Sequence, residues 1–167
     1  MFTDTFFTAA AIAASLLVSL STGIVYSFAL LVMRGNGRLP DGQFISSFQE
    51  IDGIIQRNDG LFILTWMGSV LTLILALISG WQILEGPPRL MLAVAAGIYL
   101  LAFQLPTFLI NIPLNTYIQS VDVKQAGAGE LWAARERFEK PWNRANTFRS
   151  VSGVVTMLLL FGVLAGT

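Results

Sequence analysis

Polar side chains recur inside one of the long apolar stretches of the chain. Helical spacing places four of them on one face: Gln104, Thr107, Asn111 and Asn115. Pro106 and Pro113 interrupt the backbone hydrogen bonds beside this face. Amides can donate hydrogen bonds to an oxyanion, and polar groups within a membrane are costly and tend to be functional. The alternative is that they only tie helices together, which we favour for Gln104 but not for the cluster at 111–115.

The segments that connect the apolar stretches supply further polar groups. After the first stretch, Asp41 is expected to cap an amphipathic helix that runs to about residue 57. The polar stripe of this helix, turned toward water or a pocket, contains Gln49, Asp52 and Gln56. Before the fourth stretch we expect a helix at 130–140 and a new segment after Pro141. One face of that segment carries Trp142, Asn146 and Arg149. Interfacial anchoring and a pocket role are both open for Trp142 and Arg149.

The residue types limit the chemistry of the chain. Its 167 residues include no cysteine and no histidine, which excludes disulfides, iron–sulfur clusters and the usual zinc and copper sites. The sequence has no phosphate-binding glycine loop and no nucleophile elbow. Catalysis would therefore use carboxylates, amides, hydroxyls, Arg, Lys or Tyr. The formal net charge is zero, so nucleic acid is not expected as a partner.

Four membrane-spanning helices are predicted to position these groups. Charged residues make up 12% of the chain, against roughly 25% in soluble domains. A helix needs roughly 20 apolar residues to cross a hydrocarbon core of about 30 Å. The charge-free stretches predict spans at about 6–33, 61–84, 90–114 and 148–166. The expected fold is one all-α domain, residues 1–167: an integral membrane four-helix bundle with amphipathic loop helices on one face.

Lys and Arg are distributed unevenly between the loops. Three lie between the first and second spans and six between the third and fourth, whereas Arg89 alone lies on the opposite side. The positive-inside rule therefore places both long loops in the cytoplasm and both termini outside, as expected for a bacterial inner membrane. Trp66 and Trp81 are expected to anchor the second span at the two interfaces. Small residues at four-residue spacing, such as Gly23 and Gly80, predict close packing between helices of the chain.

Three short motifs in this arrangement resemble a known family. They are Phe48-Gln49-x-Ile51-Asp52, Asn111-x-Pro113-Leu114-Asn115 and Trp142-x-x-x-Asn146-x-x-Arg149. Together with the four spans they resemble the anthrone-oxygenase-like family, a group of small bacterial and fungal membrane proteins that is largely a domain of unknown function. The resemblance covers nearly the whole chain, and the Asn-x-Pro-Leu-Asn element is its most specific part.

The resemblance implies a monooxygenase without a cofactor that acts on a flat, phenolic, lipid-soluble substrate. Removal of an acidic C–H proton gives an enolate that can react with O₂ without a metal. In this interpretation Asp52 is the general base. Four side chains donate hydrogen bonds to the oxyanion: Asn111, Asn115, Asn146 and Arg149. The remaining binding residues are Tyr26 and Trp142, which stack on the ring, together with Gln49 and Gln104.

The alternative is a non-catalytic accessory subunit of a larger membrane protein complex. In that case the same amides bridge helices or hold the headgroup of a lipid or quinone. The expected partners are membrane lipids, a hydrophobic aromatic or quinone-like ligand, and a larger membrane complex or a second copy of the chain. A ligand bound at the loop-side mouth favours the enzyme, whereas stoichiometric co-purification with a larger complex favours the subunit.

Overall fold

The chain forms a bundle of long apolar helices. The computed structural model describes residues 2–57 and 59–166, and four helices in it are long and apolar enough to cross a membrane. We refer to them as the first to fourth spans: Asp4–Asn36, Gly60–Ile83, Gly86–Gln119 and Ala128–Ala165. The described residues contain no β-strand. The predicted all-α fold of a multi-pass membrane protein is confirmed.

Two of the four spans change helix type along their length. The first span lies within a continuous helix made of α1 (Phe2–Ser27), a π-helical turn (Phe28–Val32) and α2 (Met33–Asn36). A loop helix, α3 (Asp41–Gln56), precedes the second span, α4 (Gly60–Ile83). The third span comprises α5 (Gly86–Gly97), two π-helical segments (Ile98–Gln104 and Thr107–Asn111) and α6 (Ile112–Gln119). The fourth span is a single helix, α7 (Ala128–Ala165).

The third span is π-helical next to its prolines. A proline has no amide hydrogen, so Pro106 and Pro113 each leave a carbonyl of the preceding turn without its α-helical partner. The two π-helical segments lie before and after Pro106. Such turns are rare and often occur at functional sites. Here they coincide with the predicted polar face, of which Gln104, Thr107 and Asn111 are buried.

The fourth span is longer than a bilayer is thick. Its 38 residues correspond to about 57 Å of helix, against a hydrocarbon core of about 30 Å. The charged N-terminal part of α7 therefore lies outside the hydrocarbon core. The expected break at Pro141 is wrong, since α7 runs through this residue. Proline removes one helical hydrogen bond but has a helix-compatible φ, and the buried neighbours Phe138 and Trp142 hold the helix on both sides.

α3 and the N-terminal part of α7 pack together at one end of the bundle, and we call this pair the cap. The rings of Phe44 and Phe48 lie against Phe138, with centroids 6.1 and 4.5 Å apart. Arg135 of α7 joins the two helices through an ion pair with Asp41 at 3.0 Å. The two polar loops predicted from the sequence thus meet on the same side of the bundle.

The capping role predicted for Asp41 is wrong. The N-cap residue of α3 is Pro40, and no side chain caps the helix there. Asp41 lies in the first turn, where a carboxylate interacts favourably with the helix dipole. Its Oδ1 accepts a hydrogen bond from Nη1 of Arg135. The carboxylate therefore connects α3 to α7 instead of capping the N-terminus of α3.

Glycines allow the spans to approach closely at some positions. A Cβ added at Gly153 of α7 would lie 2.5 Å from Oγ1 of Thr22, and one added at Gly80 of α4 would lie 2.7 Å from the ring of Phe7. Gly23 of α1 is exposed, and an added Cβ would meet no atom of a neighbouring helix within 4 Å. The predicted packing within the chain therefore holds at Gly80 but not at Gly23.

Replacing Gly153 with alanine is expected to lower the thermal unfolding midpoint in detergent. The new methyl group overlaps Thr22, which is buried between α1 and α7, and overpacking of this kind costs about 1–3 kcal/mol. Gly23→Ala is the matched control, because it adds the same methyl group at an exposed position and improves helix propensity. An unchanged midpoint for Gly153→Ala would contradict the close packing of these spans.

Candidate functional site

A cavity of about 210 Å³ lies beneath the cap. Its walls come from α3 and from all four spans. Six of the predicted site residues line it: Asp52, Asn111, Asn115, Trp142, Asn146 and Arg149. The first comes from α3, the two following asparagines from the third span, and the last three from α7. The fold thus brings polar side chains that are far apart in the sequence to a single cavity.

The Asp52 carboxylate is buried and accepts hydrogen bonds from three side-chain amides. Asn115 donates from Nδ2 to Oδ1 at 2.7 Å, and Gln119 donates from Nε2 to Oδ2 at 2.9 Å. Gln56 donates from Nε2 to Oδ2 at 3.2 Å. Because Asp52 is only 1% exposed, these amides take the place of water around its charge. They also join α3 to α6.

Trp142 connects this network to an aromatic wall. Its indole Nε1 donates a hydrogen bond to Oδ1 of Asn115 at 2.7 Å, so the Asn115 amide bridges Trp142 and Asp52. The Trp142 ring packs against Phe28 and Phe48, with centroids 5.7 and 5.4 Å apart. These three rings separate the cavity from the rest of the cap.

A second aromatic wall is built around Trp66 of α4. Its ring stacks on Phe62 with centroids 5.4 Å apart and lies 5.6 Å from the ring of Phe103. Its Nε1 donates to Oε1 of Gln104 at 3.1 Å, which fixes the orientation of the indole. We expected Trp66 to anchor the helix at the membrane interface. It instead lines the cavity, because an amide of the third span satisfies its N–H.

Arg149 is a buried cation that has no carboxylate partner among the described residues. It is 4% exposed, and within residues 2–57 and 59–166 it takes part in no ion pair. Its Nε donates to the carbonyl of Phe103 at 3.3 Å, and its guanidinium lies 5.5 Å from the Trp66 ring centroid. A guanidinium has five N–H donors. Those that remain are available to an anionic group in the cavity.

Two further amides complete the polar lining. Asn146 donates from Nδ2 to the carbonyl of Val25 at 3.0 Å and so connects α7 to α1. Nδ2 of Asn111 makes a long contact of 3.5 Å with the carbonyl of Trp142, and its Oδ1 is buried without a hydrogen-bond partner in the described structure. Leaving a buried amide oxygen unpaired costs free energy, which a ligand hydroxyl donating to it would recover.

Three of the predicted binding residues lie outside the cavity. Tyr26 is 48% exposed and lines a separate groove between the first and fourth spans. Gln49 donates from Nε2 to the carbonyls of Ile118 and Val121, which holds the end of α6. Gln104 acts on the cavity through its hydrogen bond with Trp66. The structure therefore brings neither Tyr26 nor Gln49 to the other site residues.

Sequence reasoning missed Gln119 and Trp66. Gln119 lies four residues after Asn115 and eight after Asn111, so helical spacing was sufficient to find it. Trp66 carries no comparable signal, because its role depends on which residue of the third span faces it. The hydrogen bond to Gln104 becomes apparent only when the spans are packed.

The arrangement is suited to proton removal from a flat aromatic molecule. Asp52 can accept a proton, Arg149 and the amides can stabilise an oxyanion, and the two aromatic walls can enclose a ring system. The described residues contain no group of three or more acidic, His or Cys side chains that could hold a metal ion.

Comparison with known families identifies a match. A family model described as anthrone oxygenase matches residues 61–159, more than half of the chain. The matched region includes Trp66, Asn111, Asn115 and Arg149, whereas Asp52 lies before it. No curated protein and no solved structure matches the chain.

Arg149→Met is expected to raise the thermal unfolding midpoint. A buried cation without a counter-ion costs folding free energy, and methionine fills a similar elongated volume beside Trp66 without that cost. Arg144→Met is the matched control on the exposed face of the same helix and should leave the midpoint unchanged. Thermal unfolding in detergent measures both variants. A lower midpoint for Arg149→Met would show that the guanidinium braces the fold.

Proposed function

Since this chain belongs to the anthrone oxygenase family, we propose that it oxidises a flat, phenolic, lipid-soluble substrate of the anthrone type with O₂, without a cofactor. The observation that carries the proposal is the cavity. In it, the buried carboxylate of Asp52 and the guanidinium of Arg149, which has no ion-pair partner in the described part of the chain, lie between aromatic walls. A base and an oxyanion site are the two groups that such a reaction requires.

The reaction needs a proton acceptor and O₂ as the oxidant. Removal of a proton from the methylene carbon of an anthrone gives an aromatic enolate. This enolate passes one electron to O₂, and the resulting radical pair forms a C–O bond, which yields a peroxide that takes up a proton. Loss of the second C–H proton with cleavage of the O–O bond gives a carbonyl and releases water. The substrate loses two hydrogens and gains one oxygen atom, and the other oxygen atom leaves in the water.

Asp52 is the proposed general base. In the described structure it is the only carboxylate that lines the cavity. A carboxylate has about four lone-pair sites, and the three amides occupy one on Oδ1 and two on Oδ2. One site on Oδ1 is therefore available to the substrate proton. The amides also hold the carboxylate in a fixed position, which favours proton transfer.

Arg149 and Asn111 are the proposed contacts of the substrate oxygens. The enolate carries its negative charge on oxygen, and the guanidinium of Arg149 in a mainly apolar cavity stabilises that charge more strongly than water does. The free Oδ1 of Asn111 can accept a hydrogen bond from a phenolic hydroxyl. Trp66 and Trp142 supply the walls against which the rings stack.

Asp52→Asn is expected to lower the rate of anthrone oxidation by about 10²–10⁴-fold, since an amide cannot take the proton. Oxygen consumption and the absorbance of the quinone product measure the rate in detergent or liposomes. Glu50→Gln is the matched control, because it neutralises an exposed carboxylate on the same helix and should retain activity.

Full activity of a folded Asp52→Asn protein would refute the role of this residue. An inactive wild-type protein that co-purifies stoichiometrically with a larger membrane complex would instead support the accessory-subunit alternative.

We also propose that the cap lies on the cytoplasmic side of a bacterial inner membrane, with both chain termini on the other side. Nine of the ten Lys and Arg residues lie within residues 34–57 and 124–149, the two stretches that contain the cap helices. The opposite end of the bundle carries Arg89, which contacts the ring of Trp81 at 5.5 Å.

Single cysteines test this orientation, because the chain has none of its own. Glu50→Cys and Glu136→Cys place thiols at exposed positions on α3 and on α7. Both are expected to react with a membrane-impermeant maleimide in inside-out vesicles and to be protected in intact spheroplasts. The reverse pattern would invert the orientation, and labelling of the two positions from opposite sides would exclude a common cap.

A further inference from the structure

One side of the cavity is bordered by exposed residues. Met67 of α4 and Phe108 and Ile112 of the third span line the cavity, yet they are 49%, 58% and 42% exposed. A side chain that faces both a cavity and the outer surface borders an opening. Since these residues belong to membrane spans, the opening faces the lipid.

The packing of the spans explains this opening. The backbone of α4 packs closely on α1 and on α5, but not on Thr107–Asn111 or on α6. The second and third spans are joined by a tight connection at the end far from the cap. Their backbones are close at that end, between α4 and α5, and farther apart toward the cap. Long side chains cross the resulting gap, as in the hydrogen bond between Trp66 and Gln104.

Between α3, α6 and α7 the cavity is closed toward the water. Phe48 and Trp142 are buried, and their rings contact each other and Phe138. Asp52 is held to α6 by the amides of Asn115 and Gln119. A polycyclic molecule could not pass here without separating α3 from α6 and α7, which would break these hydrogen bonds and expose the aromatic cluster.

We infer that the ligand enters the cavity sideways from the lipid phase, through the opening between the second and third spans bordered by Met67, Phe108 and Ile112. We call this the lateral opening. The inference rests on the proposed function and narrows its substrate class to uncharged polycyclic phenols that dissolve in the bilayer. Such a molecule becomes an anion only after it reaches Asp52 and Arg149, and the neutral quinone product can leave by the same route.

The residues that border the lateral opening also determine which molecules cannot enter the cavity. Met67, Phe108 and Ile112 offer only apolar side-chain surface to a passing molecule, and the surrounding lipid offers no hydrogen bonds. A glycosylated or sulfated derivative would have to lose its hydration at this point, which is unfavourable. The lateral opening therefore selects the unconjugated form of the ring system.

The test attaches a bulky maleimide to Phe108→Cys in lipid nanodiscs. Because the chain lacks native cysteine, each variant carries one label. The probe is anthraquinone. Its binding near Trp66 and Trp142 is followed by stopped-flow as quenching of tryptophan fluorescence that saturates with probe concentration. Leu109→Cys with the same label is the matched control, since it is the next residue, is exposed, and does not line the cavity.

Labelling at position 108 is expected to slow binding by about 10-fold or more relative to unlabelled Phe108→Cys, whereas labelling at position 109 leaves the rate unchanged. Equal rates for the labelled and unlabelled forms of Phe108→Cys would overturn the lateral opening. Absence of saturable quenching in the unlabelled wild-type protein would overturn it as well.

Anthrone oxidation is measured separately on the same samples, so the two proposals can fail independently. Slower binding at position 108 in a protein that oxidises no anthrone supports the lateral opening and refutes the oxygenase. If the protein oxidises anthrone but the label at position 108 does not slow anthraquinone binding, the oxygenase proposal is supported and the lateral opening is refuted.

Discussion

The buried Asp52 carboxylate depends on hydrogen bonds supplied by the protein, and this requirement organises the cap end of the bundle. Removing a carboxylate from water costs several kcal/mol unless donors replace the solvent. One donor, Gln56, comes from α3 itself, and the other two, Asn115 and Gln119, come from consecutive turns of α6. The carboxylate therefore connects α3, which covers the cavity, to the third span. Through Asn115 it also sets the position of Trp142.

The two buried charges at this end differ in how far the chain supplies partners for them. Asp52 has its donors within the chain, whereas Arg149 has one backbone acceptor and two aromatic neighbours but no counter-ion in the described structure. The unpaired Oδ1 of Asn111 lines the same cavity. Unsatisfied polar groups reduce stability, and natural proteins retain them mainly where function requires them. The Arg149 guanidinium and the Asn111 amide oxygen line one cavity beside the buried Asp52 carboxylate, and this is the physical reason to regard the cavity as the site.

The sequence was most informative where the lipid restricts the choices. Charge-free stretches predict the spans because a backbone inside lipid must be helical, and spacing predicts Asn111 and Asn115 because a helix repeats regularly. It was least informative about which helix faces which. Tyr26 and Trp66 are both aromatic residues near a span end, yet packing turns the first outward and the second into the cavity. The ion pair of Asp41 and the continuity of α7 through Pro141 likewise depend on partners from distant segments.

The uninterrupted course of α7 has a mechanical consequence. Trp142, Asn146 and Arg149 are carried by one stiff rod that begins among the charged residues outside the hydrocarbon core. A tilt or rotation of that rod displaces the aromatic wall and the cation as a rigid body, so the spacing between them is preserved. Residues on the exposed face of α7 can therefore be substituted, or can contact another molecule, without changing the relative positions of the three side chains that line the cavity.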